Sequence, residues 1–243
     1  MTSDVLARWM READEARAWA AAHPELAAAW DEAAEEEEER DRVRRAAANE
    51  REILASAGPT LRRMGVPVVT VEALESGLRG SLRDTKALCA ARRFVAGRQS
   101  LLVLFGGAGA GKTLAACWCL LRARSRKEYR EDEWVLDAGR GAFVRGSAIA
   151  RLSRFDDGGV WDRLLSVRWL VVDDLGAQGG GDYFSERINE LVDARYADRL
   201  RTIVTCNVTP EAFRERVGDR IVSRIRGDGA VVGCGDDDLR RPA

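Results

Sequence analysis

Several things are scarce or missing in this 243-residue chain, and each absence narrows what it can do. An excess of one charge is missing: 39 basic residues are met by 40 acidic ones. The chain therefore has no global attraction to nucleic acid, and any such binding must come from a local patch. Cysteine is sparse and odd in number. Cys89, Cys117, Cys119, Cys206 and Cys234 lack CxxC spacing, which fits core thiols in a reducing compartment rather than a disulfide framework or a zinc site. No apolar run is long enough to span a bilayer, and the N-terminus, with Asp4 and Glu12, does not have the form of a signal peptide. A cytoplasmic protein with no membrane partner is expected. No repeat or low-complexity linker stands out beyond the glycine trio Gly179–Gly181.

Residues 1–63 differ in texture from the rest. They are rich in Ala, Glu and Arg, carry the run Glu35–Glu39 and hold few β-branched residues, a composition that favours helix. Leu6, Trp9 and Met10 recur at helical spacing, as do Leu26 and Trp30. Pro24 breaks the pattern, because the residue before a proline is pushed out of the α region. Trp9, Trp19 and Trp30 read either as a small helical core or as an adhesive docking surface, aromatic residues being common in binding hot spots. The glutamate run reads as a solvated helix face.

Ser56 to Pro59 supplies a turn, and a different texture begins at Met64-Gly65-Val66-Pro67. A helix is expected over Thr85–Val95. From Ser100 onward strand and helix patterns alternate, which argues an α/β fold with a parallel sheet in residues 64–243. The expected strands are Leu101–Phe105, Trp134–Asp137, Ala142–Arg145, Trp169–Asp173 and Thr202–Cys206. The second and third flank an Ala-Gly-Arg-Gly loop and read as a hairpin. Helices are expected from Gly111 to Arg124, from Ser147 (as its cap) to Arg154, and over Phe184–Tyr196.

The most informative segment is Gly106-Gly107-Ala108-Gly109-Ala110-Gly111-Lys112-Thr113, directly after the apolar run Leu101–Phe105. This is the GxxxxGK[ST] phosphate-binding pattern in its required setting, a buried strand before it and a helix after it. Glycines let the backbone curl so that its N–H groups face phosphate oxygens. Lys112 is placed to reach the β/γ-phosphates, Thr113 to offer its hydroxyl to Mg²⁺, and the helix dipole adds a positive end. The chain binds a nucleoside triphosphate on this reading.

A phosphate loop needs a metal partner. Trp169-Leu170-Val171-Val172-Asp173-Asp174 is an apolar strand ending in two carboxylates, at the strand's carboxyl end where open α/β sheets place ligands. Asp173 would hold hydrated Mg²⁺ and Asp174 would polarise the attacking water. Taken alone the pair would be only a polar turn; downstream of a complete phosphate loop it reads as a Walker B segment. Asn207, ending Thr202–Cys206, is either a turn residue or a group touching the γ-phosphate and water. Arg220 and Arg224, four apart, share one helix face. Such pairs usually serve solubility, but beside a hydrolytic site an arginine finger is a candidate.

These pieces together resemble the DnaC/IstB group of AAA+ ATPases, the helicase loaders and transposition helpers. The likeness runs from Met64 to Arg240. It is carried in order by Gly107–Thr113, Leu170-Val-Val-Asp-Asp-Leu-Gly176, Glu190-Leu-Val-Asp-Ala-Arg-Tyr196, Thr202-Ile-Val-Thr-Cys-Asn207 and Gly218-Asp-Arg-Ile-Val-Ser-Arg-Ile225. The resemblance implies a P-loop AAA+ domain over 64–243 with a parallel sheet, no C-terminal lid domain, and ATP with Mg²⁺ as cofactors. It implies Lys112 and Thr113 as the Walker A pair, Asp173 and Asp174 as the Walker B pair, and Asn207 as sensor 1. Arg224 matches an arginine finger acting on ATP of a neighbouring subunit, with Arg220 one turn before it. Arg240 is a poor match to a late sensor arginine. Asp174 is one methylene shorter than the usual Glu, which bears on the rate of hydrolysis more than on binding.

A finger in trans implies a homo-oligomer with ATP at its interfaces. In this family the central face grips single-stranded DNA, and here the candidates are Gly179–Tyr183 with Arg151 and Arg154. Tyr183 can stack on a base, or simply pack. By analogy residues 1–63 are the module that binds a replicative DNA helicase. The expected function is a helicase loader with slow ATP hydrolysis, stimulated by DNA or partner. The alternatives are an IstB-like transposition helper recruiting a transposase, a nucleotide-gated adaptor with little hydrolysis, and a P-loop kinase, for which no acceptor-binding lid segment is evident.

Overall fold

The structure is a computed structural model and describes residues 18–19, 21–79, 82–127, 130–155, 159–176 and 182–239. The chain divides into two compact units, Met1–Glu50 and Arg51–Ala243.

In the first unit helix α1 (Pro24–Ala55) begins at the proline, with His23 outside it as the pre-proline residue. His23 stacks on Trp19, their rings 4.9 Å apart, and Trp19 is 41% exposed. Residues 35–45 are exposed throughout, so the glutamate run is a solvated face. It is laced by the pairs Glu36–Arg40, Glu39–Arg42 and Asp41–Arg44 at helical spacing, each worth only a few tenths of a kcal/mol. Trp9 and the side chain of Trp30 lie outside the described residues.

The second unit begins before the texture change. Ile53, Ala57, Leu61 and Met64 are all buried in one cluster with Phe94 and Leu120, so the expected boundary at 63/64 falls inside this unit's core. Ser56 is the turn expected there, and α2 (Ala57–Arg63) follows it with Gly58 and Pro59 in its first turn. Then come α3 (Val68–Arg79) and α4 (Lys86–Ala96), whose N-cap Thr85 accepts the Leu88 N–H.

The sheet is formed by β1 (Leu101–Phe105), β4 (Gly141–Arg145), β5 (Trp169–Asp173), β6 (Arg201–Cys206) and β7 (Gly229–Gly233). Their order is β4-β5-β6-β1-β7, all parallel. Between β1 and β4 stand α5 (Lys112–Cys119), a 3₁₀ turn at Leu120–Arg122, and an antiparallel pair, β2 (Arg124–Lys127) with β3 (Arg130–Leu136). Helices α6 (Gly146–Phe155), α7 (Gly159–Ser166), α8 (Asp182–Ala197) and α9 (Pro210–Asp228) complete it. The five residues of β1 are all buried because both sheet faces are covered. Leu102 and Leu104 join Val171 and Ile203 on one face under α2–α5. Leu101, Val103 and Phe105 join Leu170, Val172 and Val204 on the other under α6–α9.

Two expectations are corrected. Trp134–Asp137 and Ala142–Arg145 do not form a hairpin: the first pairs with Arg124–Lys127, and the second is a parallel neighbour of β5. The intervening Ala138–Arg140 is a 3₁₀ turn closed by the Asp137 carboxylate on the Gly139 N–H, which lets the chain leave one ribbon and enter the sheet. The helix after the phosphate loop also stops at Cys119 rather than Arg124. After β7 the described chain is an irregular segment to Leu239.

Candidate nucleotide site

The phosphate loop joins β1 to α5, and its glycines are there for geometry. Gly106, Gly109 and Gly111 have φ of 149°, 88° and 78°, where an L side chain is strained. A Cβ at Gly106 would also lie 2.5 Å from the Gly235 carbonyl oxygen. That contact belongs to the segment after β7, which packs along the loop. Cys234 N–H donates to Phe105 O (2.7 Å), Gly107 N–H to Gly235 O (3.0 Å) and Leu239 N–H to Gly109 O (3.2 Å).

Lys112 is buried at the start of α5, and its ammonium donates to the loop carbonyls of Gly106 (2.7 Å) and Gly107 (2.6 Å). Burial lowers its pKa from the ordinary value, while Cys234, Asp173 and Asp174 push the other way. Thr113, next along, donates its hydroxyl to Asp173 Oδ1 at 2.8 Å. This draws together two residues sixty positions apart in sequence.

Asp173 ends β5, and beside it β6 supplies a residue that its strand pattern does not single out. Thr205 donates to the same Asp173 Oδ1 at 2.8 Å and accepts the Asp174 N–H at 2.9 Å. Asp174 has a φ of 57°, a left-handed conformation that Asp tolerates better than most residues. Gly146 makes room for it: a Cβ there would sit 2.9 Å from the Asp174 carbonyl oxygen. Asn207 is exposed just past β6 and donates its amide to Asp174 Oδ1 at 2.8 Å. Lys112, Thr113, Asp173, Asp174 and Asn207 are thus linked, directly or through neighbours, at the carboxyl ends of adjacent parallel strands.

The donor set at Thr113 and Asp173 is all oxygen, one hydroxyl and one carboxylate 2.8 Å apart. It suits Mg²⁺, which takes few protein ligands and keeps waters and phosphate oxygens in the rest of its shell. Cys117 and Cys119, on the same helix as Thr113, are buried; burial raises Cys117 well above the usual thiol range and Cys119 to about 12, so both are neutral core groups. All five cysteines are free; Cys117, Cys119 and Cys206 are buried, and Cys89 and Cys234 are partly so.

The remaining candidates lie elsewhere. Arg220 and Arg224 are on α9 beyond a break at Gly218 (φ 81°), and both pair with Asp193 of α8. Tyr183 begins α8, 39% exposed, with the Arg187 guanidinium 5.7 Å from its ring. Arg151 is exposed on α6, which packs against α8. Residues 179–181, the side chain of Arg154 and all of Arg240 lie outside the described residues.

The sheet order and this linked set of loop, strand-end acids and strand-end amide define a P-loop protein of the AAA+ fold. No family model matches the chain. It is similar to the replicative helicase loader DnaC of Escherichia coli strain K12 and of Shigella flexneri, 29% identical over 147 residues that cover 58% of this chain and 57% of theirs. The chain therefore spans little more than half the length of these relatives. Among solved structures, the DnaC helicase loader superposes with a TM-score of 0.50 at 22% identity, covering 64% of this chain and 94% of that one. DnaI gives a TM-score of 0.49 at 21% identity over 66% of this chain and 87% of its own. The chain is DnaC-like in sequence and in fold, as its motifs resemble.

Proposed function

We propose that this protein is an ATP-dependent helicase loader, which assembles on single-stranded DNA and delivers a replicative DNA helicase. The observation that carries the reading is the Thr113–Asp173–Thr205–Asp174–Asn207 chain of hydrogen bonds beside Lys112, in a chain similar to DnaC. ATP phosphates take the place of the loop carbonyls on Lys112. Thr113 and Asp173 would hold Mg²⁺, which would supply charge neutralisation for the phosphates. Asp174 orients the attacking water, with Asn207 fixing its carboxylate. Arg224, with Arg220, acts on ATP bound by a neighbouring copy. The reaction is slow, because Asp174 is one methylene shorter than the usual Glu. The N-terminal segment up to Glu50, the part of residues 1–63 outside the second unit, holds the helicase, and Tyr183 and Arg151, on packed helices, are the DNA contacts.

The test is capture of the host's replicative helicase by the full chain, with and without ATP, together with ATP turnover on single- and double-stranded DNA. ATP-dependent capture and turnover raised by single strands support the loader. Stimulation by duplex DNA with no helicase capture would favour the transposition helper. ATP-dependent capture without turnover would favour the nucleotide-gated adaptor.

A further inference from the structure

Glu190–Tyr196 is a motif for which the nucleotide site finds no use, and the structure brings it against the two arginines of α9. Arg220 Nη2 lies 2.5 Å from Asp193 Oδ2, and Arg224 Nε donates to Asp193 Oδ1 at 3.2 Å. Each oxygen of one carboxylate thus takes one guanidinium. Tyr196, three residues on and therefore on the same face of α8, sets its ring 4.8 Å from the Arg224 guanidinium carbon. Exposure is graded across the cluster. Asp193 is 20% exposed, while Arg224 is 39% and Arg220 is 67% exposed. The acid is the fixed member, set into the α8–α9 packing, and the cations stand outward from it.

A solvent-facing ion pair contributes little to stability, and two arginines on one acid leave a positive charge unmatched within the cluster. What such an arrangement supplies is direction. Arg224 meets Asp193 through Nε and lies over the Tyr196 ring, so its plane is fixed and its terminal nitrogens are left to face a second anion. The break at Gly218 frees this half of α9 from the direction of Pro210–Val217, and Ile221 and Ile225 anchor it in the core.

We propose that Asp193 is a positioning residue, holding Arg220 and Arg224 as a two-armed fork for the triphosphate bound by a neighbouring copy of this chain, with Tyr196 setting the plane of Arg224. This rests on the trans-acting arginine reading above and adds to it the residue that aims the finger. Asp193 itself touches neither nucleotide nor water.

The test uses the full-length protein under conditions where it hydrolyses ATP. Asp193→Asn keeps the shape and removes the charge. It is expected to lower kcat about ten- to a hundred-fold, the cost of a misaimed group, with ATP affinity unchanged. Asp193→Glu is expected to recover part of the loss. Complementation separates aim from folding. A Lys112→Ala subunit cannot bind ATP but carries an intact fork, so mixing it with Asp193→Asn subunits is expected to restore turnover above the sum of the two. Unchanged or raised kcat in Asp193→Asn, or a mixture no more active than its parts, overturns the proposal. Arg224→Ala distinguishes the two levels. If it hydrolyses ATP normally, the trans-acting finger itself is wrong; if it is inactive while Asp193→Asn is normal, only the role of Asp193 falls.

Discussion

Asn207 and Asp174 are joined side chain to side chain, the amide of one donating to the carboxylate of the other at 2.8 Å. Their strands are adjacent and parallel, and Thr205 secures the same junction by accepting the Asp174 N–H. The acid and the amide therefore act as one unit. Asp174→Asn is expected to slow turnover at least a hundred-fold, the usual scale for a lost general base, with ATP binding kept. Asn207→Ala should slow it in the same sense. The double variant should be about as slow as the worse single one, because coupled groups are not additive. Multiplicative losses in single-turnover kinetics would show that the two work independently.

Thr205 is buried and bridges both carboxylate-bearing residues through one hydroxyl. Thr205→Val keeps the shape and leaves the Asp174 N–H and Asp173 Oδ1 each short of a bond. A loss of about 1 kcal/mol in stability is expected, because the part-buried Asp174 N–H loses its acceptor while Asp173 Oδ1 keeps the Thr113 hydroxyl. Mg²⁺-dependent ATP affinity should weaken with it, since Asp173 loses one of the hydroxyls that orient it. Thr205→Ser should restore both. Thermal unfolding and a Mg²⁺ titration of ATP binding measure the two effects separately.

The loop and its acids were legible in the sequence because their signal is local: Gly106–Thr113 is contiguous, and Asp173 ends an unmistakable apolar run. Thr205 was not legible, because a threonine inside a strand pattern reads as β propensity until the neighbouring strand is known. The contacts of Asp193 were hidden for the same reason, since its arginine partners are about thirty residues away on another helix. Strand Gly229–Gly233 begins and ends in glycine, lies at the sheet edge and is only partly buried, so it has none of the continuous apolar run that marked β1 and β5. The false hairpin at Trp134–Arg145 came from pairing neighbours in sequence, when β4 instead pairs with β5 in the parallel sheet. The segment Cys234–Leu239 carries no periodic pattern, and its place along the phosphate loop follows only from where β7 ends.

Lys112 gives a pH signature. Burial lowers its pKa below the ordinary 10.5, whereas bound phosphates favour the charged form. Binding therefore takes up a proton in the window between the lowered free value and the higher bound one, and ATP affinity should fall as pH rises through it. The stability term has the opposite sense: the unfolded chain binds more protons in the window up to 10.5, so the protein gains stability with rising pH there. Lys112→Ala should abolish ATP binding at any pH. Isothermal titration at several alkaline pH values in two buffers of different ionisation enthalpy checks the proton uptake; retained binding by Lys112→Ala would sink the loop assignment.

Arg195 is 1% exposed, and burial lowers its pKa to about 9. Its guanidinium donates to the carbonyls of Leu164 (2.8 Å), Val167 (2.9 Å) and Arg201 (2.8 Å), and to the Thr202 hydroxyl (2.8 Å). It thus ties the end of α7 to the start of β6. Arg195→Met fills similar volume but orphans several buried acceptors, at about 1–3 kcal/mol each. A loss near 3 kcal/mol is expected, or about 6–12 °C in Tm for a unit of this size. Arg195→Lys should recover little, because an ammonium cannot span these acceptors as a planar fork does. Scanning calorimetry decides it.

Truncation tests where the second compact unit begins. Ile53 and Leu61 are 2% and 0% exposed within the core that also holds Phe94 and Leu120, and Ala57 is buried beside them. Removing residues 1–50 leaves that cluster whole, so the shortened chain should fold, bind ATP and melt cooperatively. It should fail to capture the helicase if the N-terminal segment is the docking module. Removing residues 1–63 instead strips three apolar side chains from the core and uncovers their neighbours. Each lost large side chain costs about 2–5 kcal/mol, which approaches the whole stability of a domain. That form should be unfolded or aggregated. Equal thermal stability of the two truncations would show that residues 51–63 are dispensable to the core of the second unit, and would move its start to the change of texture at Met64.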